Sequence, residues 1–275
     1  MKKVITIGLP VFNGGSDVGA AINSLLRQSY KNFELIISDN GSSDATEMIC
    51  RGFAALDDRI RYIRHPQNRG GLANFQDLLE AAIGDYFMWA AHDDIWSENY
   101  LAEALDLLED TKFDFVFPRF ELRSIKFNFY VKRDMKIFEF VEHENVDSRV
   151  IPFINLHTSS HKCNIVYSFF RTEFIRRAFA IQNIVNDGLL GVVILKLGRG
   201  KMMRGSLFSK RYRILWPGAL DWIRRFIPQK NTIIFDEYKN RGELEALLLF
   251  PEYEEQIRAA SSKFRPYIYK KNFQI

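Results

Sequence analysis

Cysteine is scarce: Cys50 and Cys163 are the only two in 275 residues, far apart and inside otherwise ordinary segments. A disulfide framework is thereby disfavoured, and a reducing, cytoplasmic setting fits. No window approaches the roughly 20 apolar residues of a membrane span. The opening Met1-Lys2-Lys3-Val4-Ile5-Thr6-Ile7-Gly8-Leu9-Pro10 is basic and then apolar. Its apolar part is too short for a signal-peptide core, so it reads as a first strand. There is no dense basic block and no zinc-ligand spacing, and the formal charge is only +4 with a pI near 8.9. Nucleic acid is not indicated, while an anionic ligand or a membrane surface is permitted. GxGxxG and Walker A loops are missing too, since Gly19 is followed by Ala20 and Ala21 rather than Lys and Ser/Thr.

What is present starts with 47% hydrophobic residues, ample for a sizeable core. The most informative run is Gly84-Asp85-Tyr86-Phe87-Met88-Trp89-Ala90-Ala91-His92-Asp93-Asp94-Ile95-Trp96, an apolar strand that stops at two adjacent carboxylates. Paired aspartates at a strand's carboxyl end supply hard oxygen ligands where α/β sheets place their crevice. An Mg²⁺ or Mn²⁺ held by one or two protein oxygens keeps positions free for a diphosphate. An Asp-rich helix N-cap ahead of Ser97-Glu98 explains the same residues without a ligand.

Apolar runs alternate with amphipathic stretches through the first 120 residues, the pattern of βα units on a parallel sheet. Strands are predicted at 3–9, 33–38, 60–64 and 85–90, with helices over Asp17–Gln28, Asp44–Ala55, Asn74–Ile83 and Glu98–Leu108. The second helix opens on Asp44-x-x-Glu47, similar to a capping box, and turns Met48, Ile49 and Phe53 inward. After Lys112 come aromatic strands Phe113–Phe120 and Ile125–Val131 in a mixed sheet, a helix Val146–Leu156 and a polar loop His157–Lys162. A strand Ile165–Phe170 and helices Thr172–Ala180 and Asp187–Leu197 follow. Residues 1–215 read as one catalytic domain and 216–275 as a helical extension, with helices Ala219–Ile227, Glu243–Leu249 and Glu252–Phe264.

Taken singly, the other loops are modest signals. Pro10-Val11-Phe12-Asn13-Gly14-Gly15 lets backbone approach a ligand at a helix N-terminus, or is a plain strand-to-helix turn. Asp39, ending the second strand, suits a nucleobase or ribose contact, or merely holds a turn. Asn68-Arg69-Gly70-Gly71 places a guanidinium within reach of a diphosphate or base, or in solvent.

In order, however, Leu9–Gly14, Phe33–Asp44, Asn68–Gly71 and His92–Trp96 resemble family 2 glycosyltransferases of the GT-A fold over roughly residues 3–215. The resemblance implies an α/β protein with a Rossmann-like, mostly parallel central sheet flanked by helices. It implies that Pro10, Phe12 and Asn13 line the nucleotide pocket, that Asp39 recognises the base, and that Asn68 and Arg69 lie beside it. Asp93 corresponds to the last aspartate of the family's Asp-x-Asp metal motif, with Ala91 in the first carboxylate position and His92 between; His92 and Asp94 join the donor site. Asn186-Asp187-Gly188-Leu189-Leu190 resembles the acidic start of the helix carrying the catalytic base, which assigns that role to Asp187, a residue equally suited to capping. Arg213 falls where many relatives have histidine, near the diphosphate.

The implied reaction is inverting transfer of a sugar from a nucleotide-diphosphate donor to a hydroxyl acceptor, a glycan or a lipid-linked one, in polysaccharide or glycoconjugate biosynthesis. Rivals are a sugar-1-phosphate nucleotidyltransferase, whose glycine-rich, arginine-containing loop after strand one is absent, a dinucleotide-binding dehydrogenase, and a non-catalytic carbohydrate-binding relative. Within 219–230, Leu220, Ile223, Phe226 and Ile227 share a face flanked by Arg224, Arg225 and Lys230. That face suits peripheral contact with the inner side of a membrane, packing on the catalytic domain, or a homo-oligomer.

Overall fold

Strands apolar on both faces set the architecture. In the computed structural model, which describes residues 3–109, 112–124, 129–132, 135–156, 162–181, 186–212 and 250–256, β1 (Ile5–Val11), β2 (Phe33–Asp39), β3 (Ile60–Arg64) and β4 (Tyr86–Trp89) pair in parallel in the order β3-β2-β1-β4. Ile5, Ile7, Leu9, Leu35, Ile36 and Ile37 are fully buried, as expected of a sheet covered on both sides. The covering helices include α1 (Val18–Leu26), α2 (Thr46–Ala54), α3 (Gly71–Glu80) and α4 (Tyr100–Glu109). The predicted elements in this half are all found, with ends displaced by a few residues.

Beyond β4 the sheet continues through β9 (Phe169–Arg171), β6 (Phe115–Phe117) and β10 (Gly200–Met202), and β9 runs antiparallel to both β4 and β6. A second sheet has the order β5 (Ile95–Trp96), β11 (Phe208–Tyr212), β7 (Phe120–Ser124), β8 (Phe129–Lys132). The single strand expected over 113–120 is therefore two strands in two sheets. Pro118, which has no N–H to extend a ladder, lies in the step between them. The strand expected at 165–170 is also corrected: Lys162–Tyr167 forms 3₁₀ turns, with only β9 extended after it. A short apolar run such as Ile165-Val166 is buried equally well by a turn, and periodicity alone does not separate the two.

Two local expectations for α2 are overturned. Its buried face runs through Thr46, Ile49, Cys50 and Phe53 at helical spacing, leaving Met48 71% exposed. The Asp44–Glu47 capping box is absent: Asp44 accepts from Thr46 N at the start of α2 and from Gly15 N rather than from Glu47 N, and Glu47 pairs with Arg51 and Arg64.

The remaining helices, α5 (Val146–Asn155), α6 (Thr172–Phe179) and α7 (Asp187–Leu197), complete the fold. Part of the expected C-terminal extension joins this same core. Phe250 and Tyr253 are buried, Tyr253 Oη donates to Asp147 Oδ1 at 2.7 Å, and Lys196 pairs with Glu252. The boundary at 215, Arg213, and the helices expected over 219–227 and 243–249 lie outside the described residues, as does most of 252–264. Among the described residues no helix is long and apolar enough to cross a membrane.

Candidate active site

Four strand ends meet along one edge. Val11 of β1 lies opposite Asp39 of β2, which lies opposite Arg64 of β3, while Gly8 of β1 registers with Trp89 of β4. Since β2 and β4 flank β1 on opposite sides, the crevice beyond β1 and β4 is a topological switch point, where open α/β sheets bind ligands.

The loop after β1 is clamped to the loop after β2. Asn13 takes a left-handed φ of 52°, its N–H donates to Ser42 Oγ at 2.9 Å, and its Oδ1 accepts from Ser43 N at 2.9 Å. Gly14 N donates to Thr46 Oγ1 and Gly15 N to Asp44 Oδ2, each at 2.9 Å. Four bonds to the segment that follows β2 hold this short loop in one shape. Phe12 stays 43% exposed and Pro10 half-buried at the rim.

Asp39 is fully buried. Its Oδ1 accepts from Ser42 N at 2.8 Å, its Oδ2 accepts from Tyr62 Oη at 2.7 Å, and Arg64 Nε lies 3.8 Å away. The residue next to it organises the third loop. Asn40 Nδ2 donates to Asn68 Oδ1 at 2.9 Å and to Gly70 O at 3.1 Å, and its Oδ1 accepts from Arg69 N at 2.9 Å. The Arg69 guanidinium donates to Asp77 Oδ2 at 2.7 Å. Asn40→Ala removes all three bonds from a buried position, so it is expected to lower stability by about 1–3 kcal/mol and to raise the donor KM. Urea unfolding and steady-state kinetics check both.

The carboxylate pair sits where the chain changes sheets. Trp89, fully buried, anchors the end of β4 by donating from Nε1 to Phe75 O at 3.0 Å. Asp94 N then donates to Ala91 O at 3.3 Å, closing a turn, and Ile95 and Trp96 pair with β11. Asp94 is 1% exposed, its Oδ1 accepts from Arg211 N at 3.0 Å, and its Oδ2 has Lys210 Nζ at 3.7 Å but no hydrogen bond. Burial, opposed by Lys210, pushes its carboxyl up to about 7. His92 packs on Gly14, where an added Cβ would come within 2.6 Å of its Cδ2, and desolvation lowers its pKa against the pull of Asp93 and Asp44. Asp93 is half-buried and lines a cavity of about 180 Å³.

Asp187 reaches this corner from the far half of the chain. It opens α7, but Asn186 is the cap, with Oδ1 accepting from Leu189 N at 3.0 Å. The capping explanation for Asp187 thus falls to its neighbour, and its carboxylate makes no hydrogen bond among the described residues. It is open to solvent yet recessed, so desolvation raises its pKa while the charge of Lys210 opposes the rise. Tyr167 sits in the field of Asp187, Asp94 and Asp93, with Lys210 Nζ 5.0 Å from its ring centre.

The oxygen donors that this corner offers a divalent cation are Asp93 and Asp94. Asp93 is accessible, Asp94 presents a buried oxygen without a hydrogen-bond donor, and no group of three His, Cys, Asp or Glu forms a closed metal cage among the described residues. Such a thin protein shell leaves coordination positions for phosphate and water.

Sequence reasoning missed Asn40, Tyr167, Lys210 and Arg211. Lys210 and Arg211 belong to the basic run Lys210-Arg211-Tyr212-Arg213, and two-residue alternation was the available signal that they point to opposite sides.

Residues 6–177 match the family model for glycosyl transferase family 2. An uncharacterized glycosyltransferase of Rickettsia typhi is 30% identical over 169 residues, covering 60% of this chain and 50% of that protein. The UDP-Glc:alpha-D-GlcNAc-diphosphoundecaprenol beta-1,3-glucosyltransferase WfgD of Escherichia coli is 28% identical over 119 residues, 43% of this chain and 46% of that one. The chain thus spans about half the length of the curated relatives it matches. Among solved structures, Staphylococcus aureus TarS superposes with a TM-score of 0.65 at 15% identity, covering 95% of this chain and 71% of that one. A mannosyltransferase from Pyrobaculum calidifontis, in complex with GDP-Man and Mn²⁺, gives 0.59 at 14%, covering 95% and 70%. These likenesses bear out the expected GT-A architecture. With well over half its residues matched by the family model, the chain belongs to glycosyl transferase family 2.

Proposed function

We propose that this chain transfers a sugar from a nucleotide-diphosphate donor to a hydroxyl group of a glycan or lipid-linked acceptor, inverting the anomeric carbon. The observation that carries this reading is Asp187, freed from capping by Asn186 and gathered with Asp93, Asp94, Lys210 and Tyr167 at the switch point. The relatives support the donor class: TarS structures hold UDP and UDP-GlcNAc, and the mannosyltransferase holds GDP-Man.

In this mechanism the clamped loop around Pro10, Phe12 and Asn13 packs the nucleoside. Asp39, already holding Ser42 and Tyr62, fixes the pocket wall and is the acceptor toward which a base N–H would be drawn. Asn68 and Arg69, pinned by Asn40, close the far side, and His92 holds the Gly14 backbone in place. Asp187 accepts the acceptor hydroxyl's proton as the new bond to the sugar forms. Asp93 beside Asp94 would hold Mg²⁺ or Mn²⁺, whose positive charge would stabilise the diphosphate leaving group. Arg213 is retained as a diphosphate contact on sequence grounds alone, as are a cytoplasmic setting, membrane contact through 219–230 and a homo-oligomer.

Incubation with a panel of nucleotide sugars, reading nucleoside diphosphate release with and without acceptor, tests the reading. Release that requires acceptor supports transfer. Binding without turnover supports a non-catalytic relative, and pyrophosphate release from a sugar-1-phosphate and a nucleoside triphosphate supports the nucleotidyltransferase.

Lys210 tunes the base. Its charge lowers the Asp187 pKa, so Lys210→Met is expected to move the acidic limb of the kcat/KM profile to higher pH. A limb that stays put or moves down removes Lys210 from that role.

A further inference from the structure

The cavity beside Asp93 already contains an internal anion held on a guanidinium. Asp17, Asp93, Arg123, Ser209 and Arg211 line it. Arg211 Nη1 is paired with Asp17 Oδ2, which also accepts from Ser16 Oγ at 2.5 Å. Asp17 stands at the N-cap position of α1, where an aspartate normally accepts a backbone N–H from the first turn. Here its side chain makes no capping bond. The carboxylate is committed to Arg211 instead, at the cost of the cap.

Position gives that pairing its meaning. Asp17 follows directly on the Phe12–Gly15 loop, and Arg211 lies on β11, whose backbone N–H is bonded to Asp94. The ion pair therefore spans the cavity from the nucleoside side to the carboxylate corner. Two aspartates and two arginines make the named charged lining balanced while Asp17 is present. A planar guanidinium binds carboxylate and phosphate by the same two-pronged geometry.

We propose that Arg211 is a diphosphate-binding cation of this chain and that Asp17 occupies it until a donor arrives, the diphosphate exchanging with the carboxylate. The proposal rests on the nucleotide-sugar reading above and adds to it a named partner for the phosphates and a built-in competitor. On donor binding Asp17 is released to cap α1, which offsets part of the lost ion pair. The exchange also loosens the tie between the β1–α1 loop and β11 at the moment the site fills.

Calorimetric titration of UDP and GDP into the full chain, Asp17→Asn, Arg211→Gln and the double variant tests this, with uridine and guanosine as phosphate-free controls. Asp17→Asn is expected to bind its nucleoside diphosphate at least about fivefold more tightly than the parent, and Arg211→Gln at least about fivefold more weakly. In the double variant the gain from Asp17→Asn disappears, and nucleoside binding does not change in any variant. Weaker diphosphate binding in Asp17→Asn, or no change, overturns the exchange and makes the pair a structural tie. A parent chain that binds neither UDP nor GDP overturns the nucleotide-sugar reading itself. Thermal unfolding of each variant identifies any loss that comes from misfolding, and the sign of the Asp17→Asn effect decides because an unfolded variant does not gain affinity.

Discussion

Asp187→Asn is expected to leave nucleoside diphosphate binding intact while cutting sugar transfer by about 10²–10⁴-fold, the usual contribution of a positioned general base. The structural cost of the change is small. Asn186, not Asp187, caps α7, and the Asp187 carboxylate has no hydrogen bond among the described residues to lose. Stability should stay within about 0.5 kcal/mol of the parent, as for an exposed substitution away from special features. The loss should fall on kcat, because a base acts as the new bond forms and not when the donor binds. Desolvation raises the Asp187 pKa, so the parent's acidic limb should lie above the ordinary aspartate range, and that limb should be missing from the residual rate of the variant. Transfer at the parental rate by a folded Asp187→Asn chain would remove Asp187 from the mechanism. A large drop in melting temperature together with lost activity would instead assign it a structural part.

How much of this was legible in the sequence depended on whether the signal was local. β1 to β4 were readable because each is a short apolar run bounded by turn residues, and their ends carried polar residues at matching places. The same runs brought Pro10, Phe12, Asn13, Asp39, Arg69 and Asp93 to one edge, as the order of motifs implied. Elements failed where tertiary packing decided. Ile165 and Val166 have strand-like composition but are buried by a turn, and Pro118 parts two strands that composition joined. Met48 sits one position off a buried face that only contact with the sheet defines. The site was under-read for the same reason. Asn40, Tyr167 and Lys210 matter through residues 20 or more positions away, and a single sequence carries no signal for such pairings. The choice of Asp187 as base had left capping open, a question that only the Asn186 hydrogen bond answered.

Asp93→Ala is expected to lower transfer by about 10²–10³-fold, the range seen when one preorganised charge-stabilising group is removed from an active site. Asp93 is half-buried on the cavity wall with Arg123 and Arg211, and its side chain supports no structural hydrogen bond among the described residues. The protein should therefore fold, and the loss should reflect missing charge at the diphosphate corner. Its neighbour complicates the result in a predictable direction. Part of what raises the Asp94 pKa is the charge of Asp93, so the substitution lets Asp94 ionise more readily beside Lys210. Residual Mn²⁺ affinity in Asp93→Ala should then reside on Asp94 and vanish in the Asp93→Ala, Asp94→Asn double variant. Titration of Mn²⁺ followed by electron paramagnetic resonance reads that affinity without any turnover. Chelation should lower the parent's activity sharply and that of Asp93→Ala much less, since only the residual site on Asp94 is left to lose an ion. Unaltered Mn²⁺ binding and parental activity in Asp93→Ala would remove Asp93 from the metal role. The cationic work at the diphosphate would then fall to Lys210, beside Asp94, and to Arg211, on the cavity wall with Asp93.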